Sequence, residues 1–329
     1  MDVSVVIPSF NRGEKIRPTI EALLGADFAG TAPVEIVVVD DGSLTALEPI
    51  VRSYTPPAGV NVRCLRQPNS GPAAARNTGF RQTSGDIVLF VDDDIVLPPD
   101  LITLRVALHR QHPGSVICGP SVPPTSFLAS PEYDGYNALY PVATAGPPTE
   151  IQSASEAQVS SQFLSVERKT FANEGGVYKE DLETPVAEEV ELTHRLRQRG
   201  IPILYAMDAV AIHLQPLDIG ACCRQRYKHG RGLAEALAKY PHVGSMPEFL
   251  PLTTSSRGIA GTIKGRVGSN LIIRNCTLCS YLIAKRCKLP RPLLRELYRI
   301  AASCWYIAGL RAGFLRYAPP GAQVSLAAR

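Results

Sequence analysis

From residue 3 to about residue 120, short β-branched runs alternate with helical stretches. That alternation restricts the chain to βαβ units built on a largely parallel sheet. The runs are residues 3–7, 34–39, 60–65, 87–91 and 116–118, and residues 14–24 and 72–81 supply helices between them. In the first helix Ile16, Ile20, Leu23 and Leu24 recur at the spacing that turns one face toward a sheet. Gly71-Pro72 marks the start of the second, because proline suits a first helical turn. The expected class is α/β with a mostly parallel central sheet, followed by a helical C-terminal region.

Residues 120–162 are rich in Pro, Ser, Thr and Tyr, with Pro123-Pro124, Pro131, Pro141 and Pro147-Pro148, so no long helix fits there. A loop of that length in a compact domain is usually functional or mobile. Regular structure is expected again as a strand at 163–166, a helix at 186–199 ending at Gly200, and strands at 203–205 and 209–213. Glu188 and Glu189 fall in the first turn of that helix, where the macrodipole favours negative charge. In the last hundred residues Arg257, Lys264, Arg266, Arg274, Lys285, Arg286 and further cations interleave with apolar segments. No uninterrupted apolar run there reaches the ~18–20 residues that span a bilayer.

A chain of 329 residues, 45% of them hydrophobic, can bury a large core. Its 34 basic and 30 acidic side chains give a net charge of +4, too slight for wholesale nucleic-acid binding, so no nucleic-acid partner is expected. Eight irregularly spaced cysteines do not resemble a disulfide framework; reduced thiols and a cytoplasmic location fit better. The opening residues 1–8 are apolar without a basic leader and stop at Pro8, which reads as a strand and not a signal peptide. Cys276 and Cys279 form a lone C-x-x-C with no second pair at zinc-site spacing, and a packed helix accounts for them.

Open α/β sheets bind ligands at the carboxyl ends of their strands. Here those ends are polar: Pro8-Ser9-Phe10-Asn11-Arg12, Asp40-Asp41-Gly42-Ser43 and Asp92-Asp93-Asp94. Three consecutive carboxylates after a buried strand repel one another unless a cation or hydrogen-bond donors offset them. Hard oxygen ligands suit Mg²⁺ or Mn²⁺, which bridge protein carboxylates to substrate phosphates; a solvated acidic turn is the plainer alternative. Asp41 can aim a further carboxylate into the same crevice, or simply belong to an Asp-Gly turn. His213 closes an apolar strand, and alone would read as a structural histidine. His109, His112, His194 and His242 read as surface or structural. The cluster Arg224 to Arg231 reads either as a ligand-facing basic helix or as a solvated one.

The ordered set VSVVIPSFNR, VVDDGS, NSGPAAARNTG and FVDDD resembles the family-two inverting glycosyltransferases of the GT-A fold, over roughly the first 240 residues. The resemblance implies a GT-A domain at 1–240, with a nucleotide-binding half at 1–120 and an acceptor-binding half at 121–240, and a helical basic and apolar region at 241–329. It implies that Pro8, Phe10 and Asp41 line the base pocket with Arg12 and Arg76 nearby. Asp92 and Asp93 would lie near the ribose and donor sugar, Asp94 would ligate the metal, and His213 would complete the metal site or approach the donor phosphates. Glu188-Glu189-Val190-Glu191-Leu192 with Arg195-Leu196 resembles the family's Glu-Asp-x-Asp-Leu-x-x-Arg-Leu segment, which puts Glu189 at the catalytic base, with Glu188 as its alternative. Gly175-Gly176 is followed by Val-Tyr-Lys-Glu where the family continues Phe-Asp-Glu, so acceptor contacts do not carry over.

The activity so implied is transfer of a single sugar, with inversion, from a nucleotide-sugar (UDP-sugar favoured) to a hydroxyl acceptor that is a glycan, a lipid-linked molecule or a small molecule, with Mn²⁺ or Mg²⁺. The processive Gln-x-x-Arg-Trp signature is absent from the sequence. The alternative is a nucleotide-sugar-binding protein that has lost turnover. Nucleotidyltransferase and dinucleotide-dependent oxidoreductase readings lack their glycine-rich loop after the first strand. Residues 291–316 have the charge placement of an interfacial helix lying on an anionic membrane at the inner face, and equally that of a helical cap or a homodimer contact.

Overall fold

The computed structural model describes residues 1–28, 32–140, 149–150, 160–184, 187–207, 210–215, 218–245 and 271–317. In chain order the elements are β1 (Asp2–Ser9), α1 (Arg17–Leu24), β2 (Ala32–Asp40), α2 (Glu48–Arg52), β3 (Val60–Arg66), α3 (Pro72–Arg81), β4 (Ile87–Val91), β5 (Ile95–Val96) and α4 (Leu101–Gln111). There follow β6 (Val116–Cys118), β7 (Ser121–Val122), α5 (Pro131–Leu139), β8 (Thr149–Glu150), β9 (Phe163–Glu167), α6 (Ala187–Gln198), β10 (Ile203–Tyr205), β11 (Ala211–His213), α7 (Ile219–Lys239), α8 (Leu271–Arg286) and α9 (Arg291–Tyr317). They group into two compact units: residues 1–122, 142–180 and 195–215 in the first, and 123–141, 181–194 and 216–329 in the second.

In the first unit an eight-stranded sheet runs β3-β2-β1-β4-β9-β6-β10-β8. Strands β1 to β4 pair in parallel; β9 is antiparallel to both β4 and β6, β10 runs parallel to β6, and β8 antiparallel to β10. Every residue of β1 after Asp2 is buried, as are all five of β4, because both faces of the sheet are covered and the strands read as continuous apolar runs. Val5 and Ile7 of β1 cluster with Val34, Ile36 and Val38 of β2 and with Ile16, Ile20 and Leu23 in and beside α1. Helix α3 lies close on β1: a β-carbon at Gly79 would overlap the Val6 side chain. A small second sheet, β5-β11-β7, brings His213 level with Ile95, just after the three aspartates.

Several elements differ from the sequence expectation, among them the helices α2, α4 and α5. Helix α4 is hidden in the sequence because Arg105 and His109 sit on its buried face and break the apolar stripe. Within the proline-rich stretch, Ser130 caps a nine-residue helix, α5, whose first residue is Pro131; proline at that position starts a helix instead of breaking one. The remainder of the stretch at 141–148 and 151–159, and the cations Arg257, Lys264 and Arg266, lie outside the described residues.

In the second unit α7 and α9 pack through small residues. A β-carbon at Gly230 would overlap the Tyr306 carbonyl, and one at Gly309 the Tyr227 carbonyl. Leu233, Ala236 and Leu237 of α7 cluster with Tyr306, Leu310 and Phe314 of α9, so α7 belongs with the helices that follow residue 240. Tyr281 and Ala284 of α8 bury against Leu294, Tyr298, Ala301 and Ala302 of α9.

Candidate active site

The ends of β1 and β2 are flush, Ser9 standing level with Asp40. Beyond them the two turns are tied together: the Asn11 amide donates to Ser43 Oγ at 2.9 Å, and the Leu44 amide to Asn11 Oδ1 at 2.8 Å. Asn11 adopts a left-handed φ of 55°, a conformation asparagine tolerates better than most residues. The turn leaves Phe10 exposed, Pro8 buried, and Arg12 directed along the sheet edge.

Arg12 meets the acidic run that follows β4. Its Nε donates to Asp93 Oδ1 at 2.7 Å and its Nη2 to Asp94 Oδ2, while Ser9 Oγ donates to Asp93 Oδ2 at 2.6 Å. The other Asp94 oxygen faces His213 Nε2 at 3.3 Å. His213 Nδ1 lies 3.2 Å from Gln162 Nε2, and Gln162 Oε1 accepts from Ser121 Oγ at 2.6 Å. Backbone bonds fix the same corner, the Asp92 amide to the Gln162 carbonyl at 2.8 Å and the Leu214 amide to the Asp94 carbonyl at 2.8 Å. Burial pushes the Asp93 carboxyl up to about 6 against the pull of Arg12 and Ser9, with Asp94 and Asp92 adding to the rise. For Asp94 burial pushes the same way but is outweighed by His213 and Arg12, which hold it below the usual carboxylate range. Burial would depress Arg12, yet its two aspartates raise it.

Asp92 takes a different cation. Arg76 of α3, nearly buried, donates from Nη2 to Asp92 Oδ1 at 2.7 Å and lies over the Tyr178 ring, 5.2 Å from its centroid. Asp41 is engaged by the loop leading into α3. Its Oδ1 accepts from Gln67 Nε2 at 2.7 Å and the Ser70 amide at 2.9 Å, and its Oδ2 from the Gly71 amide at 2.9 Å. Three of about four acceptor positions of that carboxylate are thus in use. Asp40 is wholly buried and holds the Ser43 and Leu47 amides.

Six of the expected residues (Arg12, Arg76, Asp92, Asp93, Asp94 and His213) therefore meet in paired contacts at this rim, with Pro8, Phe10 and Asp41 on the adjoining turns. Glu188 and Glu189 lie in the first turn of α6, in the second unit; Glu188 is buried, Glu189 half-buried, and the Glu189 carbonyl accepts from Thr193 Oγ1 at 2.7 Å. Ser9 and Gln162 are additions that sequence reasoning misses. Ser9 stands inside a quoted motif, whereas Gln162 precedes β9 with no motif around it.

Asp94 Oδ1 and His213 Nε2 lie 3.3 Å apart as one hard oxygen and one imidazole nitrogen; the carboxylate suits Mn²⁺ or Mg²⁺, and the imidazole suits the transition metal of the two better. Among the described residues no group of three or more His, Cys, Asp or Glu side chains is placed to hold an ion. An ion held by this pair alone would take the rest of its shell from groups outside the protein.

Nearby in the first unit, Asn77 clamps the segment after the two glycines. Its Oδ1 accepts from the Val177 and Tyr178 amides at 2.8 and 3.0 Å, and its Nδ2 donates to the Tyr178 carbonyl at 2.7 Å and Glu180 Oε1 at 2.9 Å. Asn77, Arg81, Glu174, Tyr178, Glu180 and Arg195 line a cavity of about 270 Å³ there. Arg195 Nη2 donates to the Val177 carbonyl at 2.7 Å, so the arginine of the Arg-Leu pair anchors the Gly-Gly segment.

The family model described as glycosyl transferase family 2 matches residues 4–127. Residues 4–127 are a glycosyl transferase family 2 domain. The family 2 domain spans β1 to β7 and holds the Arg12, Arg76 and Asp92–Asp94 side of the rim, while Gln162 and His213 come from later in the chain. Over 117 residues the chain is 32% identical to TarS, a poly(ribitol-phosphate) beta-N-acetylglucosaminyltransferase of Staphylococcus aureus, covering 36% of this chain and 20% of that one. Over 110 residues it is 36% identical to an undecaprenyl-phosphate 4-deoxy-4-formamido-L-arabinose transferase of Serratia proteamaculans, covering 33% and 34%. The chain thus spans about a third or less of the length of these relatives. The crystal structure of TarS residues 1–349 with UDP superposes with a TM-score of 0.53 at 19% identity, covering 95% of this chain and 91% of that one. A mannosyltransferase from Pyrobaculum calidifontis, PcManGT, in complex with GDP-Man and Mn²⁺, gives 0.59 at 17% identity, covering 94% and 86%. The fold around the family 2 domain is GT-A.

Proposed function

We propose that the chain is an inverting glycosyltransferase that moves a single sugar from a nucleoside-diphosphate sugar, UDP-sugar favoured, to a hydroxyl acceptor in glycoconjugate or polysaccharide biosynthesis. The observation that carries this reading is the convergence of Arg12, Asp93, Asp94 and His213 at the carboxyl rim of the sheet. Packing gives no reason to gather three carboxylates there, whereas a sugar diphosphate and its cation do. The presence of UDP in the TarS structure and of GDP-Man with Mn²⁺ in that of PcManGT supports a nucleotide-sugar donor.

In this reading Phe10 offers an aromatic face to the base, and the remaining acceptor position of Asp41 takes its imide N–H. Arg12 and Arg76 exchange their aspartate partners for donor phosphate, releasing Asp92 and Asp93 toward the ribose and donor sugar. Asp94 and His213 would hold Mn²⁺ or Mg²⁺, which when bound supplies charge neutralisation to the departing diphosphate. Glu189 takes the proton of the acceptor hydroxyl as that oxygen attacks the anomeric carbon opposite the nucleoside diphosphate, so configuration inverts and no enzyme nucleophile is needed.

Replacing Glu189 by Gln tests the assignment: kcat should fall by about 10²–10⁴ with donor affinity retained, the usual range for loss of a general base. A kcat near wild type moves the role to Glu188. Glutamate at the base position and the Val-Tyr-Lys-Glu sequence after the glycines favour a second reading, a nucleotide-sugar-binding protein without turnover. Nucleoside diphosphate release from a donor panel, with and without acceptors, separates the two.

A further inference from the structure

Helix α8 exposes a face that a solvated helix would make polar. Asn275, Cys276, Cys279, Leu282, Ile283 and Arg286 recur on that face at intervals of three and four, while Tyr281 and Ala284 turn inward to α9. Leu282 is 49% and Ile283 64% exposed, and the turn into α9 adds Leu289 at 38% and Leu293 at 45%. The turn also places Lys288 in a left-handed conformation, φ 54°, where glycine is the unstrained choice. A lysine kept there puts a cation beside Leu289.

The charge that this segment itself carries is of one sign. From Phe249 to Arg295 the sequence has no Asp or Glu, and Lys285, Arg286, Lys288 and Arg291 are all exposed. Lys285 pairs with Glu132 and Arg291 with Asp134, both on α5; among the described residues no carboxylate pairs with Arg286 or Lys288. A second copy of this face would oppose like charges across a two-fold axis. Anionic lipid answers both features at once, phosphate for the cations and the acyl boundary for the leucines.

We propose that the outer face of α8 and the α8–α9 turn dock on an anionic bilayer, with Leu282, Ile283, Leu289 and Leu293 entering the interface and Arg286 and Lys288 meeting lipid phosphates. No helix among the described residues is long and apolar enough to cross a membrane. Ala301, Ala302, Ala308 and Gly309 of α9 are buried and take no part in the docking.

The experiment sediments the full chain with vesicles of phosphatidylcholine and phosphatidylglycerol in equal parts, and with phosphatidylcholine alone. Binding should require phosphatidylglycerol and weaken with salt. The double substitution Leu282→Ser with Ile283→Ser, and separately Arg286→Gln with Lys288→Gln, should each weaken it by about tenfold or more. Thermal melts that match wild type confirm that these exposed changes leave the fold intact. The proposal is overturned if wild type does not bind, or if both variants bind as wild type does. It is also overturned if light scattering without lipid shows a dimer that Leu282→Ser with Ile283→Ser dissolves. The readout is lipid binding alone, so it stands apart from the transferase reading.

Discussion

Arg12 joins two mostly buried carboxylates at the rim, and its removal leaves Asp93 and Asp94 without their shared cation. Because Arg12 is itself about one-third exposed, the expected loss for Arg12→Leu is about 1–3 kcal/mol, less than for a fully buried pair. Thermal melts should show that loss, with Mn²⁺ restoring part of it; a melt unchanged from wild type would mean that the rim carboxylates are otherwise neutralised. His109 makes a pH prediction. It is fully buried, its Nε2 2.9 Å from Ser165 Oγ, and burial first, then Arg105, pushes it from 6.5 down to about 4. Below pH 6.5 the unfolded chain takes up a proton that the folded chain refuses until about pH 4, so stability falls across that window as pH drops. The full effect is about 3 kcal/mol, and His109→Gln should remove it from the acid limb of a pH–stability curve. An acid limb of unchanged slope would show that another group sets it.

At the scale of elements, the α7–α9 pairing depends on absent side chains. Gly309→Leu drives four carbons into the Tyr227 backbone, and overpacking of this kind should cost about 1–3 kcal/mol or more, read as a lower melting temperature and loss of helical signal. A neutral result would show that the two helices separate without penalty. The strands are legible in the sequence because both faces of the sheet are covered: residues 87–91 and 116–118 read from composition as they fold, and helix 72–81 is marked by its proline. Helix α4 is not, since Arg105 and His109 occupy its inward stripe. Nor is the antiparallel setting of β9 between β4 and β6, because β-branched runs carry no direction. In the site, the three aspartates and His213 are visible as polar endings to apolar strands. Gln162, which spans from Ser121 to His213, is not, for a lone glutamine before a strand has no periodicity or motif to separate it from a loop residue.

For the whole molecule, the modest net charge of +4 conceals an uneven layout, with carboxylates gathered after β4 and an acid-free basic segment through α8. The family 2 domain supplies most of the rim, and later segments supply Gln162 and His213, so the rim needs more of the chain than the family match covers. On the proposed function, this rim holds a sugar diphosphate together with a divalent cation. Calorimetric titration of UDP into the full chain with Mn²⁺ present, repeated after chelation and with Asp94→Asn, tests it most directly. Binding that chelation abolishes, and that Asp94→Asn weakens by about tenfold or more, is the predicted result. UDP affinity that is the same in wild type, in Asp94→Asn and without metal would contradict it.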